Sequence, residues 1–268
     1  MIDRLNRALS ERILLLDGGL GTMVQLYGLG EAEYRGEQFA QWHCDLKGCN
    51  DLLALTRAEV IREIHHKYLA AGADIITTDS FNANAISLAD YGLESYAYQI
   101  SKAAAAVAAS VAREFTERNP LKHRFVAGSV GPTSRPSSMS TDVANPAARE
   151  VTFDELVEAY SAQINGLLDG GADIILVETV FDTLNAKAAL YAVESIGRER
   201  GRTIPTMLSG TLSDASGRTL SGQGVETMYA SLSHADLITV GLNCAFGAKQ
   251  LLPHLERLAS VAECRISA

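Results

Sequence analysis

Residues 71–79 read Ala71-Gly72-Ala73-Asp74-Ile75-Ile76-Thr77-Thr78-Asp79, and residues 170–178 read Gly170-Gly171-Ala172-Asp173-Ile174-Ile175-Leu176-Val177-Glu178. Each stretch holds a glycine that stops a helix, an apolar run of strand length, and a carboxylate five residues after the Asp. A fainter third copy, Ala235-Asp236-Leu237-Ile238, leads into Gly241-Leu242-Asn243-Cys244. Helix-then-strand units repeated at this scale are the signature of a parallel α/β architecture.

Working outward from these units, strands are expected at residues 12–16, after Asp74, at 124–129, after Asp173, at 205–209 and at 237–242, with another beginning at 265. Helices are expected over 57–71, 95–118, from Thr152 onward, and over 182–200, 225–234 and 247–262. The helix after Thr152 opens on a capping box with Glu155. Six strand–helix units and the start of a seventh predict one domain over residues 1–268, a (β/α)8 TIM barrel that is incomplete. A doubly wound sheet is the alternative. The barrel is favoured because Asp17, Asp79, Ser129, Glu178, Thr211 and Cys244 follow nearly every strand, whereas an open sheet concentrates its site at one switch point.

The chain has 268 residues, 47% of them hydrophobic, enough for a large core. A formal charge of −9 argues against a nucleic-acid or anionic-membrane surface, which needs clustered Lys and Arg. No apolar run has the length of a membrane span. The first residues, Met1-Ile2-Asp3-Arg4-Leu5-Asn6-Arg7, lack a signal-peptide core, so the expected location is cytoplasmic. Four cysteines in a chain this long make no disulfide framework.

The run at 12–16 ends in Asp17-Gly18-Gly19-Leu20-Gly21-Thr22. A dinucleotide fingerprint counted from Gly19 would need glycine where Val24 stands, so it fails. The turn remains suited to anion approach by bare backbone N–H groups, or is simply a tight turn. Residues 31–51, which hold Trp42, His43, Cys44 and Cys49, read as a binding loop or as surface decoration. Residues 134–145 read as a further strand-end loop.

Asp17 and Glu178 at matching strand ends suit binding of an amine or acid–base work. Asp79 fits the same slot or holds its own loop. Cys244 is a nucleophile, a metal ligand or a buried thiol; the buried thiol is the commoner fate of a lone Cys. Zinc needs at least three protein ligands. Cys44, Cys49 and Cys264 form no CxxC with Cys244, so these four alone are not expected to make a site.

Five runs together resemble the homocysteine-binding barrel of cobalamin-dependent methionine synthase, within the homocysteine S-methyltransferase family. They are residues 16–22, residues 45–53 (Asp45-Leu46-Lys47-Gly48-Cys49-Asn50-Asp51-Leu52-Leu53), residues 177–187 (Val177 to Lys187), residues 211–223 and Gly241-Leu242-Asn243-Cys244. The run at 211–223 points to this enzyme rather than to betaine- or S-methylmethionine-dependent relatives. The resemblance implies homocysteine at the barrel mouth, its sulfur on a zinc ion held by three cysteines, of which Cys244 matches the first. It implies the substrate amine near Asp17 and Glu178, its carboxylate on the Gly18–Gly19 turn, and Ser129 and Asn243 as lining residues. The methyl group is expected from methylcobalamin on a separate cobalamin-carrying domain of the same polypeptide.

The family's other two zinc ligands form an adjacent Cys-Cys pair, which does not occur here. They are expected beyond Ala268, and the fragment by itself is expected to be inactive. Cys49 and Asp79 stand where the family has amides. The alternatives are a free-standing homocysteine S-methyltransferase using a betaine or sulfonium donor, and a non-catalytic amino-acid-binding barrel.

Overall fold

The computed structural model describes residues 2–140, 142–214 and 216–268. Met1, Thr141 in the 134–145 loop and Ala215 in the 211–223 run lie outside the described residues. In chain order the elements are α1 (Ile2–Glu11), α2 (Leu20–Gln25), α3 (Glu31–Arg35), α4 (Leu53–Thr56), α5 (Ala58–Ala71), β1 (Ile75–Thr77), α6 (Ala85–Leu88), α7 (Ala97–Arg118) and β2 (Phe125–Val130). Then follow α8 (Phe153–Gly170), β3 (Ile174–Val180), α9 (Thr183–Glu199), β4 (Thr206–Gly210), α10 (Val225–Leu232), β5 (Thr239–Leu242), α11 (Ala248–Ala259) and β6 (Arg265–Ser267). Among the described residues no helix is long and apolar enough to cross a membrane.

The chain forms two compact units, residues 1–129 with 162–174, and residues 130–161 with 175–268. In the first, β1 pairs in parallel with β2, placing Ile75 beside Phe125. In the second, β4 pairs in parallel with β3 and with β5, and β5 pairs with β6. The fold is α/β with parallel strands, as the repeat predicts.

The structure explains what the repeated Asp does. Asp74 N–H donates to Leu15 O at 2.8 Å while Leu15 N–H donates to Asp74 Oδ2 at 3.0 Å. Asp173 N–H donates to Val126 O at 2.9 Å while Val126 N–H donates to Asp173 Oδ2 at 3.0 Å. In each copy the Asp brackets the adjacent segment at its start and sets its register. The glycine before it turns the chain out of the helix: Gly72 has φ 116° and Gly171 φ 106°, in the left-handed region that lacks a steric cost only for glycine.

Two expectations need correction. Residues 12–16 do not form a strand: only Leu16 bridges to Ile75, and Ile13 and Leu15 are 87% and 56% exposed. Helix α1, which the expected elements omit, precedes this segment, and Arg12 is drawn to Asp74 instead of continuing a ladder. Residues 31–51 are not surface decoration either. Tyr34, Phe39, Leu46 and Cys49 are buried in one cluster with Val60, Ile61 and Ile64 of α5 and Ile100 of α7. Glu31 holds the stretch closed by accepting the N–H groups of Leu46 and Lys47 at 2.8 and 2.7 Å.

The capping box at Thr152 forms as expected. Thr152 N–H donates to Glu155 Oε2 at 2.8 Å and Glu155 N–H to Thr152 Oγ1 at 3.2 Å. Further along α8, Gly166 and Gly170 lie against α7, where a Cβ would meet Tyr98 O at 2.4 Å and Lys102 O at 2.3 Å. Real Cβ contacts to backbone are not that close, so the helices must separate to admit one. Gly170→Ala is therefore expected to destabilise the protein by about 3 kcal/mol, at the upper end of overpacking costs. A melting temperature unchanged within error would refute that close packing.

Candidate functional site

In the first unit, the Asp17 carboxylate is anchored on β1. Its Oδ2 accepts Thr77 N–H at 2.8 Å and its Oδ1 accepts the Thr77 hydroxyl at 3.0 Å. Gly18 and Gly19 follow as an exposed turn into α2. Tyr68 of α5 donates its hydroxyl to Gly19 O at 3.2 Å and lies where a Cβ on Gly18 would be 3.1 Å from it. A side chain at 18 would press on this aromatic ring and displace it by a few tenths of an ångström.

Ser129 is 1% exposed and belongs to a buried network. Its N–H donates to Thr78 Oγ1 at 2.9 Å, and its carbonyl accepts from Ser80 Oγ at 2.8 Å and from Gln163 Nε2 at 3.3 Å. Asp79 is 5% exposed, and its Oδ2 has no hydrogen-bond partner among the described residues. Burial, with the charge of Asp51 added, holds the Asp79 carboxyl well above the usual carboxylate range. Burial also raises Asp51, whose Oδ1 accepts Asn82 N–H at 2.8 Å. The Cys49 thiol is pushed up to about 12, by burial first and then by Asp51 and Asp79, so it stays protonated and unreactive.

In the second unit the residues past β3, β4 and β5 converge. Asn243 N–H donates to Gly210 O at 2.9 Å and Thr211 N–H to Val180 O at 3.0 Å, which levels the three strand ends. Asn243 Nδ2 donates to Thr179 Oγ1 at 2.8 Å and to Cys244 Sγ at 3.3 Å. Its Oδ1 accepts Thr179 N–H at 3.1 Å and the Ser209 hydroxyl at 2.8 Å. Thr211 Oγ1 lies 3.5 Å from Cys244 Sγ. Cys244 is exposed, with φ 45°, and Ala245 follows at φ 32°. Glu178 is half-buried beside Thr179, which has φ 58°. Left-handed non-glycine residues are uncommon, and a β-branched one is an outlier. The start of the 134–145 loop is also pinned in this unit, Ser138 N–H donating to Asp182 Oδ2 at 2.8 Å and Ser137 N–H to Asn185 Oδ1 at 2.9 Å.

A cavity of about 600 Å³ opens at the other ends of these strands, lined by Leu190, Tyr191, Arg198, Arg202 and Thr206. Thr206 begins β4, whereas Thr211 and Cys244 lie past strand ends, where parallel α/β folds keep their chemistry. The expected site residues therefore fall into two sets. Asp17, Gly18, Gly19 and Ser129 belong to the first unit, Glu178, Asn243 and Cys244 to the second. Thr179 and Ser209 were not foreseen; a left-handed Thr leaves no mark on sequence periodicity, and only its position after Glu178 marks it out.

The family described as homocysteine S-methyltransferase matches residues 14–268. The chain belongs to the homocysteine S-methyltransferase family. Among solved structures, this homocysteine S-methyltransferase family member is similar to the homocysteine methyltransferase MmuM from Escherichia coli. The metallated form of MmuM superposes with a TM-score of 0.76 at 21% identity, covering 98% of this chain and 85% of that one. The oxidised form gives 0.77 at 23% identity, covering 98% and 84%. At these identities the likeness establishes a shared fold.

A metallated relative raises the question of a metal in this family member. Among the described residues no group of three His, Cys, Asp or Glu is placed to hold one. Around Cys244 Sγ stand a hydroxyl and an amide, neither a zinc ligand of the usual kind. The described residues do not by themselves fit a zinc site.

Proposed function

We propose that this chain is the homocysteine-binding domain of a cobalamin-dependent methionine synthase, an incomplete (β/α)8 barrel that binds homocysteine and presents its sulfur for methylation to methionine. Homocysteine brings an ammonium, a carboxylate and a thiol. In the first unit, Asp17 serves the ammonium, being a carboxylate already oriented by Thr77, and the exposed Gly18–Gly19 turn serves the carboxylate. Ser129 supports the neighbouring strand end from within its buried network. In the second unit, Glu178 serves the ammonium and Cys244 marks the sulfur's place. Zinc at Cys244 would require ligands from outside the described residues. Methylcobalamin, carried by another domain, supplies the methyl group when bound. Once its thiol proton has passed to solvent, the homocysteine sulfur would form the S–CH3 bond as the bond from methyl to donor breaks, the donor keeping that bond's electron pair.

The observation that carries this reading is the polar cradle at Cys244 Sγ, past the end of β5, in a chain whose family is that of homocysteine S-methyl transfer. The run at 211–223 supports the methionine synthase assignment over a free-standing enzyme. Titration calorimetry with homocysteine, with and without zinc, tests it. In the full-length protein, binding that zinc strengthens is expected. Zinc-independent binding with no methyl transfer would favour an amino-acid-binding barrel instead. Glu178→Gln is expected to weaken homocysteine binding about tenfold to a hundredfold, the worth of one charge-assisted hydrogen bond. An unchanged Kd would remove Glu178 from the ammonium site. Supplying the full-length protein with methylcobalamin, S-methylmethionine or betaine in turn identifies the donor by which one yields methionine.

A further inference from the structure

Asn243 has no hydrogen-bonding capacity left for a substrate. A primary amide offers two acceptor lone pairs and two N–H donors. Oδ1 takes Thr179 N–H and the Ser209 hydroxyl, while Nδ2 gives to Thr179 Oγ1 and Cys244 Sγ, so all four are in use. The assignment of oxygen and nitrogen is fixed by the main chain, because Thr179 N–H can only donate and must face Oδ1. The family resemblance implies that Asn243 lines the substrate. The geometry gives it a different part.

We propose that Asn243 is a positioning residue that pins Thr179 in its left-handed conformation and aims Cys244 Sγ, so that one amide orients the two functional side chains of this unit. The inference rests on the reading of Glu178 and Cys244 as homocysteine-site residues. Thr179 directly follows Glu178, and its φ of 58° sets where the Glu178 carbonyl and the next strand residue go. A threonine does not hold that conformation unaided. Asn243 grips it at both ends of the residue, at the amide and at the hydroxyl. Ser209, from the strand lying between, braces the same amide oxygen. Loss of Asn243 would let Thr179 relax to an ordinary φ, turning Glu178 away from its direction, and would remove a donor from Cys244 Sγ.

The test uses Asn243→Ala, Thr179→Gly with Asn243→Ala, and the wild-type chain, at a temperature where circular dichroism shows all three folded. Two quantities are read: hydrogen exchange of the Thr179 amide and the Kd for homocysteine. Asn243→Ala is expected to speed Thr179 exchange and to weaken homocysteine binding about tenfold, the scale of one lost buried hydrogen bond. Glycine adopts φ near 58° without strain. The double variant should therefore recover most of the binding while its residue 179 amide still exchanges fast. That recovery is what a substrate contact would not show.

Unchanged exchange in Asn243→Ala overturns the proposal, and so does a double variant that binds as weakly as Asn243→Ala. If the wild-type chain binds no homocysteine, the functional reading falls, and the exchange result alone decides whether Asn243 pins Thr179. Should Asn243→Ala not fold, Asn243→Asp keeps both acceptor contacts and loses the two donors, of which the one to Thr179 Oγ1 is replaced when that hydroxyl turns to donate, while the one to Sγ is not. It is expected to preserve Thr179 protection and still weaken binding; lost protection would count against the proposal.

Discussion

Replacing Asp74 by alanine is expected to cost about 3–5 kcal/mol and to lower the melting temperature by about 10 °C, the range for breaking a buried ion pair in a domain of this size. The Asp74 side chain is fully buried. Arg12 grips it with two hydrogen bonds of 2.7 and 2.8 Å, Leu15 N–H adds a third, and Lys122 and Arg124 stand at 3.3 and 3.6 Å. Burial by itself would raise this carboxyl; the Arg12 hydrogen bonds, with Leu15 and the surrounding cations, bring it down to about 2. A carboxylate lowered in this way contributes stability that is fully present above pH 4 and is lost as pH falls through 2. Without it, Arg124, 8% exposed, is left as a buried cation. Limited proteolysis at Arg12 should accelerate in step with the lost stability. A change under 1 kcal/mol by chemical denaturation would show the cluster to be solvated rather than buried.

The equivalent Asp173 makes a contrasting control. It brackets Val126 in the same manner, but burial outweighs the Val126 hydrogen bond and the charge of Arg4, so its carboxyl is raised. Asp173→Asn keeps an oxygen for Val126 N–H and removes the cost of a buried charge, so its effect is expected to stay within about 1 kcal/mol. One position in the repeat thus carries two electrostatic designs.

Acidification from pH 6.5 to pH 4 is expected to remove about 3 kcal/mol of stability through His65 alone. His65 lies on α5 with 0% exposure, and neither ring nitrogen has a hydrogen-bond partner among the described residues. Burial lowers it from 6.5 to about 4. Between those values the unfolded chain takes up a proton that the native state refuses, so stability falls as pH falls. His65→Leu should flatten this limb of the stability curve and leave stability at pH 7.5 equal or higher, since two unsatisfied nitrogens leave the core. The comparison is made as wild type minus variant, which cancels the carboxyl groups that titrate over the same range. Parallel curves for the two proteins would exclude His65 as the cause.

The repeat at 71–79 and 170–178 made the α/β class, the parallel strands and most helix ends legible, because glycine stops and apolar runs are local signals. The segment at 12–16 was misread because its apolar pattern resembles a strand, while its course is set by Arg12 reaching across to Asp74, a contact 62 residues away in the chain. The stretch at 31–51 leaves a binding loop and surface decoration both open in the sequence, for the opposite reason. It lacks periodicity, yet places four large or apolar side chains in the core through irregular backbone held by Glu31. At the candidate site, Glu178, Asn243 and Cys244 stand out in the sequence as polar residues after strands, and Asp17 as one after an apolar run that the structure leaves as a single bridge. The grip of Asn243 on Thr179 did not, since it joins two strand ends and depends on a backbone angle that side-chain pattern does not encode.

The four thiols differ sharply in what can reach them. Cys49 is buried and protonated, Cys264 is half-buried and raised by burial, and Cys44 donates to Tyr91 O at 3.2 Å, whereas Cys244 is exposed. Peroxide or a maleimide added in small excess meets Cys244 before the others, since access governs which thiol is modified. Handling without reductant therefore damages the thiol on which the proposed function rests while leaving the buried cysteines untouched. The same selectivity makes Cys244 a ready attachment point for a spectroscopic label.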